Sequence, residues 1–165
     1  LAFVAINSLQ NIPGSGEVLG SEEILFAAPK QHPSCHALEG VSSLTADLLS
    51  QYFGSDDFIL PRRDSTVNHA IQDFLKLCHI NFEAVCNVNH MTTISNMVAN
   101  KVGVSFIPST CQQPNLPIRY FSLSPKIYRL SAIIYRNDRP LTNAENYLLE
   151  LARNYKLFHH SHCLP

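Results

Sequence analysis

Residues 58–108 alternate between short apolar runs and stretches of helical period, and this alternation constrains the fold more than anything else in the chain. The run "FILP" (58–61) stops at a proline. Val67, Ala70, Ile71, Phe74, Leu75 and Cys78 then fall at i, i+3, i+4 and i+7 spacing, which predicts an amphipathic helix. "NFEAVCNV" (81–88) reads as a strand, and "MTTISNMVANK" (91–101) sets Ile94, Met97 and Val98 on one helical face. "VGVSFIP" (102–108) is a third strand, ending at Pro108. Strand-helix-strand-helix-strand with short connections predicts a parallel sheet covered by helices.

The flanks are richer in strand. "LAFVAI" (1–6) reads as a buried strand, "NSLQNIPGSG" (7–16) as a loop, and "SEEILFAAP" (21–29) as a second strand closed by Pro29. Residues 30–43 show no clear period, and "LTADLLSQYF" (44–53) suits a short helix. "PIRYFSL" and "YRLSAIIYR" predict two strands around Ser124-Pro125. In the last helix Thr142 is the N-cap and Glu145 completes a capping box, with Ala144, Tyr147, Leu148, Leu151 and Tyr155 as the buried stripe. The expected organisation is two α/β lobes joined by crossing segments, with a hinged cleft. Residues 1–32 and 110–165 would form the first lobe, which is partial and carries the C-terminal helix, and residues 33–109 the second.

With 165 residues the chain can bury a sizeable core. A net charge of -1 and no long basic run argue against nucleic-acid binding by this chain itself. No apolar stretch approaches the roughly 18 residues of a membrane span. The chain begins at Leu1 inside an apparent strand, so it reads as a piece of a longer protein. Its five cysteines (Cys35, Cys78, Cys86, Cys111, Cys163) form no CxxC pair, which suits free, mostly buried thiols in a reducing cytoplasm.

The polar residues with the most chemistry gather where strand gives way to helix. In parallel sheets, ligands sit beyond the carboxyl ends of strands. "RRDST" follows one such end, and "NVNHMTT" (87–93) repeats the arrangement. A helix's first turn offers unpaired N–H groups and partial positive charge. Arg62 and Arg63 carry donor forks suited to carboxylate, and Asp64, Ser65 and Thr66 can cap the helix or meet a ligand. The expected ligand set is Arg62, Asp64, Ser65, Thr66, Asn89, Thr92 and Gly103, with Asn7 opposite. Gly103 enters because a missing side chain lets backbone approach a ligand. Plain helix capping accounts for the same Ser, Thr, Asp and Asn residues equally simply.

Other candidates carry less. His159, His160, His162 and Cys163 are metal-ligand types, but their spacing is too tight for an ordinary structural zinc site. Cys35-His36 are sequence neighbours, and a nucleophile and its base need an orienting third group. Cys78, Met91 and Met97 read as packing. The sequence contains no P-loop and no dinucleotide fingerprint. Neither an enzyme nor a resident cofactor or metal is expected.

"ILFAAPKQHP", "FILPRRDSTVNHAIQDFL", "NMVANKVGVSFIPST" and "SAIIYRND", in that order, resemble the effector-binding domain of LysR-type bacterial transcriptional regulators. The resemblance covers about residues 1–158. It implies a fold similar to type 2 periplasmic binding proteins, with two α/β lobes closing on a small molecule, often a carboxylate. It also implies that the family's helix-turn-helix domain and the first part of the first lobe precede Leu1, so that DNA is contacted only through that absent domain. A cytoplasmic homo-oligomer, dimer or tetramer, is expected, and the helix near 66–77 takes part in pairing. Lys101 stands where the family usually has glycine, and Asn100 is expected to take the left-handed cap instead. An exported solute-binding protein is the alternative, and an enzyme on the same scaffold a more distant one.

The charge balance generates a prediction: the chain alone gives no sequence-specific shift of a defined operator at physiological salt, which a gel mobility assay checks.

Overall fold

The computed structural model describes residues 1–7 and 15–154. Tyr155, His159, His160, His162 and Cys163 lie outside the described residues. In chain order the elements are β1 (Ala2–Ile6), β2 (Ser15–Pro29), α1 (Pro33–Ala37), β3 (Ser43–Thr45), α2 (Ala46–Phe53), β4 (Phe58–Pro61), α3 (Thr66–Leu77) and β5 (Ala84–Val88). They continue with α4 (Met91–Ala99), β6 (Val104–Pro108), a 3-10 turn (Ser109–Cys111), β7 (Ile118–Ser124), β8 (Ile127–Tyr135) and α5 (Asn143–Asn154). The chain divides into two compact units, Leu1–Glu22 with Tyr128–Pro165, and Glu23–Ile127. The expected second lobe, 33–109, lies wholly inside the larger one.

In the larger unit β4 pairs in parallel with β5 and β6, as Pro61↔Val88 and Ile59↔Ser105 show. The end of β2 runs antiparallel to β6 and to β7, and β3 is parallel to β7. The predicted parallel core is therefore extended by antiparallel strands, giving a mixed sheet. Both faces are covered, and side chains alternate between them with the strand period of two. Phe26, Phe58 and Phe106 enter one cluster with Leu49 and Phe53 of α2 and Val67, Ala70, Ile71, Phe74 and Leu75 of α3. Their neighbours Ala27, Ile59 and Ile107 enter another with Ile94 and Val98 of α4. The α3 stripe is thus spent on its own sheet. Only Leu77, 69% exposed, faces solvent among its large apolar residues.

Short elements escaped the sequence reading. Helix α1 lies inside 30–43, where five residues are too few to display a period. Pro33 sits in its first turn, and the His32 imidazole caps it by accepting the Ser34 N–H. Arg119 holds the other end, donating to the carbonyls of Cys35, Leu38 and Val41. Strand β2 begins at Ser15, six residues before the expected start at Ser21.

In the smaller unit β1 pairs antiparallel with β8, Ala2↔Ile134 to Ile6↔Leu130, and β8 neighbours β2. Strand β1 is half-buried to exposed, not buried as expected. The Thr142–Glu145 capping box forms as predicted: Thr142 N–H donates to Glu145 at 2.8 Å, and Glu145 N–H to Thr142 Oγ1 at 3.3 Å. Arg139 beside Glu145 holds that carboxyl well below the usual range. The predicted stripe on α5 is wrong. Leu149 and Ala152 are buried, whereas Ala144, Tyr147, Leu148 and Leu151 are exposed. Two exposed ion pairs, Glu145 with Arg139 and Arg153 with Glu17, flank the buried Leu149 and Ala152. The inward face is 145, 149 and 152, at helical spacing.

Cysteine burial is partial. Cys35 is buried, Cys78, Cys86 and Cys111 are half-buried, and all four are free thiols. Burial pushes the Cys35 and Cys78 thiols up.

The end of α4 corrects another expectation. Asn100 is the C-cap with φ -88°, and Lys101 takes the left-handed position with φ 62°. Lys101 N–H bonds the Val98 carbonyl and Val102 N–H the Met97 carbonyl, the two bonds of a Schellman motif. That motif fixes the left-handed residue one place beyond the cap, hence lysine. A non-glycine residue there costs about 1–2 kcal/mol.

Gly103 stands just before β6, and a Cβ there would overlap the Asp57 carbonyl oxygen. That oxygen accepts the Val104 N–H at 2.9 Å, beside the first rung between β4 and β6. Gly103→Ala is expected to lower stability by about 2 kcal/mol or more, read as a lower urea midpoint at unchanged slope.

Candidate functional site

Strand β4 ends at Pro61, opposite Val88 at the end of β5, and Arg62 N–H donates to the Val88 carbonyl at 3.1 Å as the last rung. From this edge α3 leaves over one face of the sheet and α4 over the other. The chain moves from β4 out to β5 and then back past β4 to β6. Adjacent strands lie about 4.8 Å apart, so the amino ends of both helices open beside one another at the carboxyl edge. Such a reversal of strand order is where open α/β sheets form a crevice.

The two helix starts differ. At α3 the Ser65 hydroxyl accepts the Asn68 N–H at 3.1 Å, so the side chain is spent on capping. Asn68 is only 3% exposed, and its amide donates to the Pro61 carbonyl at 2.6 Å, tying α3 to the end of β4. At α4 the N-cap is His90, whose side chain makes no cap bond. Its first-turn N–H groups therefore have no side-chain acceptor among the described residues, while Thr92 and Thr93 stand exposed beside them. An uncapped helix start carries partial positive charge and suits an anionic group.

Arg62 and Asp64 pair with each other. Arg62 Nε donates to Asp64 Oδ1 at 2.5 Å and Nη2 to Oδ2, on the surface. The hydrogen bond to Asp64 raises the Arg62 pKa, and Arg62 in turn lowers that of Asp64. The fork expected to hold a ligand carboxylate is thus closed on a protein carboxylate. Arg63 is exposed and makes no hydrogen bond or ion pair among the described residues.

The structure brings Arg62, Asp64, Ser65, Thr66, Asn89 and Thr92 to this carboxyl edge. Thr66 is half-buried in the first turn of α3, and Asn89 is exposed between β5 and α4. Gly103 does not join them. It precedes β6, whose Val104 pairs with Phe58 at the start of β4, and so it lies at the opposite, amino edge. Its missing side chain admits the Asp57 carbonyl. Asn7 is exposed and follows β1 in the smaller unit. Sequence reasoning missed Asn68, although an asparagine between Val67 and Ala70 on an apolar stripe signals a buried polar group that must be bonded.

Among the described residues no group of three His, Cys, Asp or Glu side chains could hold a metal ion, and no helix is long and apolar enough to cross a membrane. What the edge offers is hydroxyls, orphan amides and a guanidinium, a set for gripping a small polar molecule.

Comparison with known proteins identifies the family and the fold. The chain matches the LysR substrate binding domain over residues 4–156. No curated protein matches it. Among solved structures, the Synechocystis PCC6803 CcmR regulatory domain in complex with 2-PG is similar at TM-score 0.72 and 13% identity, covering 92% of this chain and 71% of that one. The effector binding domain of QuiR in complex with shikimate gives TM-score 0.72 and 16% identity, with 95% and 72% covered. The reduced form of OxyR gives 0.73 and 18%, with 98% and 74% covered. The match spans nearly the whole chain, and the chain therefore belongs to the LysR substrate-binding domain family, the small-molecule-sensing, two-lobed, periplasmic-binding-protein-like domains of LysR-type transcription regulators.

Proposed function

We propose that this chain senses a small carboxylate or other anionic metabolite for a bacterial LysR-type regulator, and that the carboxyl edge of its larger unit supplies the contacts. The observation that carries the reading is the uncapped start of α4 beside the capped start of α3, with the unpartnered Arg63 nearby. The effector's anionic group sits on the α4 amides, Thr92 and Asn89 hydrogen-bond it, and Arg63 adds charge. Thr66 adds a hydroxyl from α3. Ser65 and Asp64 act indirectly, the first by capping and the second by holding Arg62. The ligands of two similar domains, 2-PG in CcmR and shikimate in QuiR, support a small oxygen-rich effector.

In this reading the second lobe is built on residues 33–109, with the end of β2 and β7 completing its sheet, and residues 1–32 and 110–165 belong to the first. The protein is not an enzyme, works in the cytoplasm without a cofactor, and acts as a dimer or tetramer. A helix-turn-helix domain outside this sequence touches the DNA. An effector shifts such a regulator only by its difference in affinity for the two states.

A thermal-shift screen of metabolite carboxylates, shikimate among them, tests the proposal. One compound is expected to raise the Tm in a concentration-dependent way. Arg63→Ala should weaken its binding about tenfold or more, as expected for a charge-assisted hydrogen bond. Thr92→Val should weaken it about threefold to tenfold, and both variants should keep the parent's unliganded Tm. Binding that is unchanged in both variants, or no carboxylate that raises the Tm, would overturn the assignment.

A further inference from the structure

At the other edge of the larger unit, the amino ends of β4 and β6, a cavity of about 220 Å³ opens. Pro29, Pro33 and Val102 give it apolar walls, and His32, Asp57 and Lys101 carry its chemistry. The volume is below the roughly 300–1,000 Å³ of pockets for drug-sized ligands.

The polar groups divide into engaged and open ones. The His32 Nδ1 accepts the Ser34 N–H at 3.2 Å, so the ring hydrogen is on Nε2, which donates to Asp56 Oδ1 at 3.0 Å. The imidazole also lies against the Phe53 ring, 5.3 Å between centroids. His32 and Asp56 therefore form a fixed wall. Asp57 and Lys101 differ: both are exposed, and neither side chain makes a hydrogen bond or ion pair among the described residues. They line one cavity with opposite charges and do not pair with each other.

Lys101 adds an independent observation. It is the left-handed residue of the Schellman motif, φ 62°, where glycine would be free of strain. Its charge suits the negative end of the α4 dipole, but that gain is smaller than the left-handed cost. The rest of the fold absorbs the difference, as it does for His79 at φ 55°, so the strain marks the position without itself assigning a ligand. Strained residues cluster at ligand sites.

We propose that this cavity is a second small-molecule site, separate from the edge at Ser65 and Thr92, and that it takes a small zwitterion of amino-acid size. The ligand's carboxylate meets the Lys101 ammonium and its own ammonium meets the Asp57 carboxylate. Its apolar part lies against Pro29, Pro33 and Val102. One open cation and one open anion beside a wall already bonded internally favour a zwitterion over a simple anion or cation.

The test is an NMR titration of the isotope-labelled chain with the proteinogenic L-amino acids, using acetate and methylammonium as single-charge controls. At least one amino acid is expected to shift the backbone amides of Asp57, Lys101, Val102 and Val104, with neither control reproducing the effect at equal concentration. Lys101→Gly separates stability from binding: it should raise the Tm by about 2–4 °C while weakening that amino acid about tenfold. Asp57→Asn should weaken it similarly without loss of fold. These readouts do not involve the carboxylate contacts at Arg63 and Thr92, so either site can fail alone. The proposal is overturned if no amino acid shifts these amides, if shifts appear only at Ser65, Thr66 and Thr92, or if Lys101→Gly binds as tightly as the parent.

Discussion

Three neighbouring strands of the larger unit, β2, β6 and β4, are buried on both faces, and everything at the edges of the sheet inherits its position from that constraint. Phe26 is the centre of one face. Its ring lies 4.7 Å from Phe53, 5.4 Å from Phe106, 6.3 Å from Phe58 and 6.4 Å from Phe121, centroid to centroid. All five rings are essentially inaccessible to solvent. Removing one such ring from a packed core typically costs about 3–5 kcal/mol, a large part of a domain's net stability of about 5–15 kcal/mol. Because the strand period is two, a one-residue slip would exchange Phe26, Phe58 and Phe106 for Ala27, Ile59 and Ser105 or Ile107. Neither side has room for the exchange, so the register is held from both faces.

A fixed register makes the carboxyl edge a defined place. Ser105 of β6 donates its hydroxyl to the Ile59 carbonyl of β4 at 2.5 Å, and the Asn68 amide holds the Pro61 carbonyl. These buried bonds satisfy polar groups that would otherwise destabilise the core, and they fix where α3 departs. With α3 on one face and α4 on the other, the two helix starts cannot drift together or apart. Polarity then follows from capping. Ser65 has used its hydroxyl, whereas His90 leaves the α4 amides without a side-chain acceptor. The Arg62–Asp64 pair is exposed on both sides, and such pairs contribute little to stability. Its chief consequence is to neutralise one cation locally and leave Arg63 as the open one.

The alternation at 58–108 was legible because each element there is long enough to show its period, and because apolar residues on both faces agree with it. The same was true of the Thr142–Glu145 box, where the signal is local. Legibility failed where tertiary contacts decide. On α5 Leu149 and Ala152 face inward, beside the pairs of Arg153 with Glu17 and Arg139 with Glu145, partners 136 and six residues apart in sequence. Hydrophobic spacing alone chose the face with Tyr147, Leu148 and Leu151. Residue type put Ser65, Thr66, Asn89 and Thr92 between strand ends and helix starts, where they stand, since these are local features. It could not foresee that Arg62 would close on Asp64. For Gly103, an absent side chain serves close backbone packing and ligand approach alike, and the sequence does not place it at the amino edge against the Asp57 carbonyl.

The two edges of this sheet are electrostatically unlike, and the difference comes from helix direction. Helices that follow parallel strands return antiparallel to them, so their amino ends meet at the strands' carboxyl edge and their carboxyl ends at the other. The carboxyl edge thus favours anions without any charged side chain. The amino edge favours cations, which a lysine near the end of α4 satisfies in part, by about 0.3–1 kcal/mol for an exposed charge at a helix terminus. Against that stands the left-handed backbone of Lys101 at about 1–2 kcal/mol. The sum of these two local terms is unfavourable, and in the proposed site a carboxylate on the ammonium offsets it. At that same edge Asp57, directly before β4, adds a full negative charge of the same sign as the α4 carboxyl end. In the two proposed sites, backbone at one edge and a side chain at the other meet the ligand's anionic group, and that side chain, Lys101, is the one at positive φ.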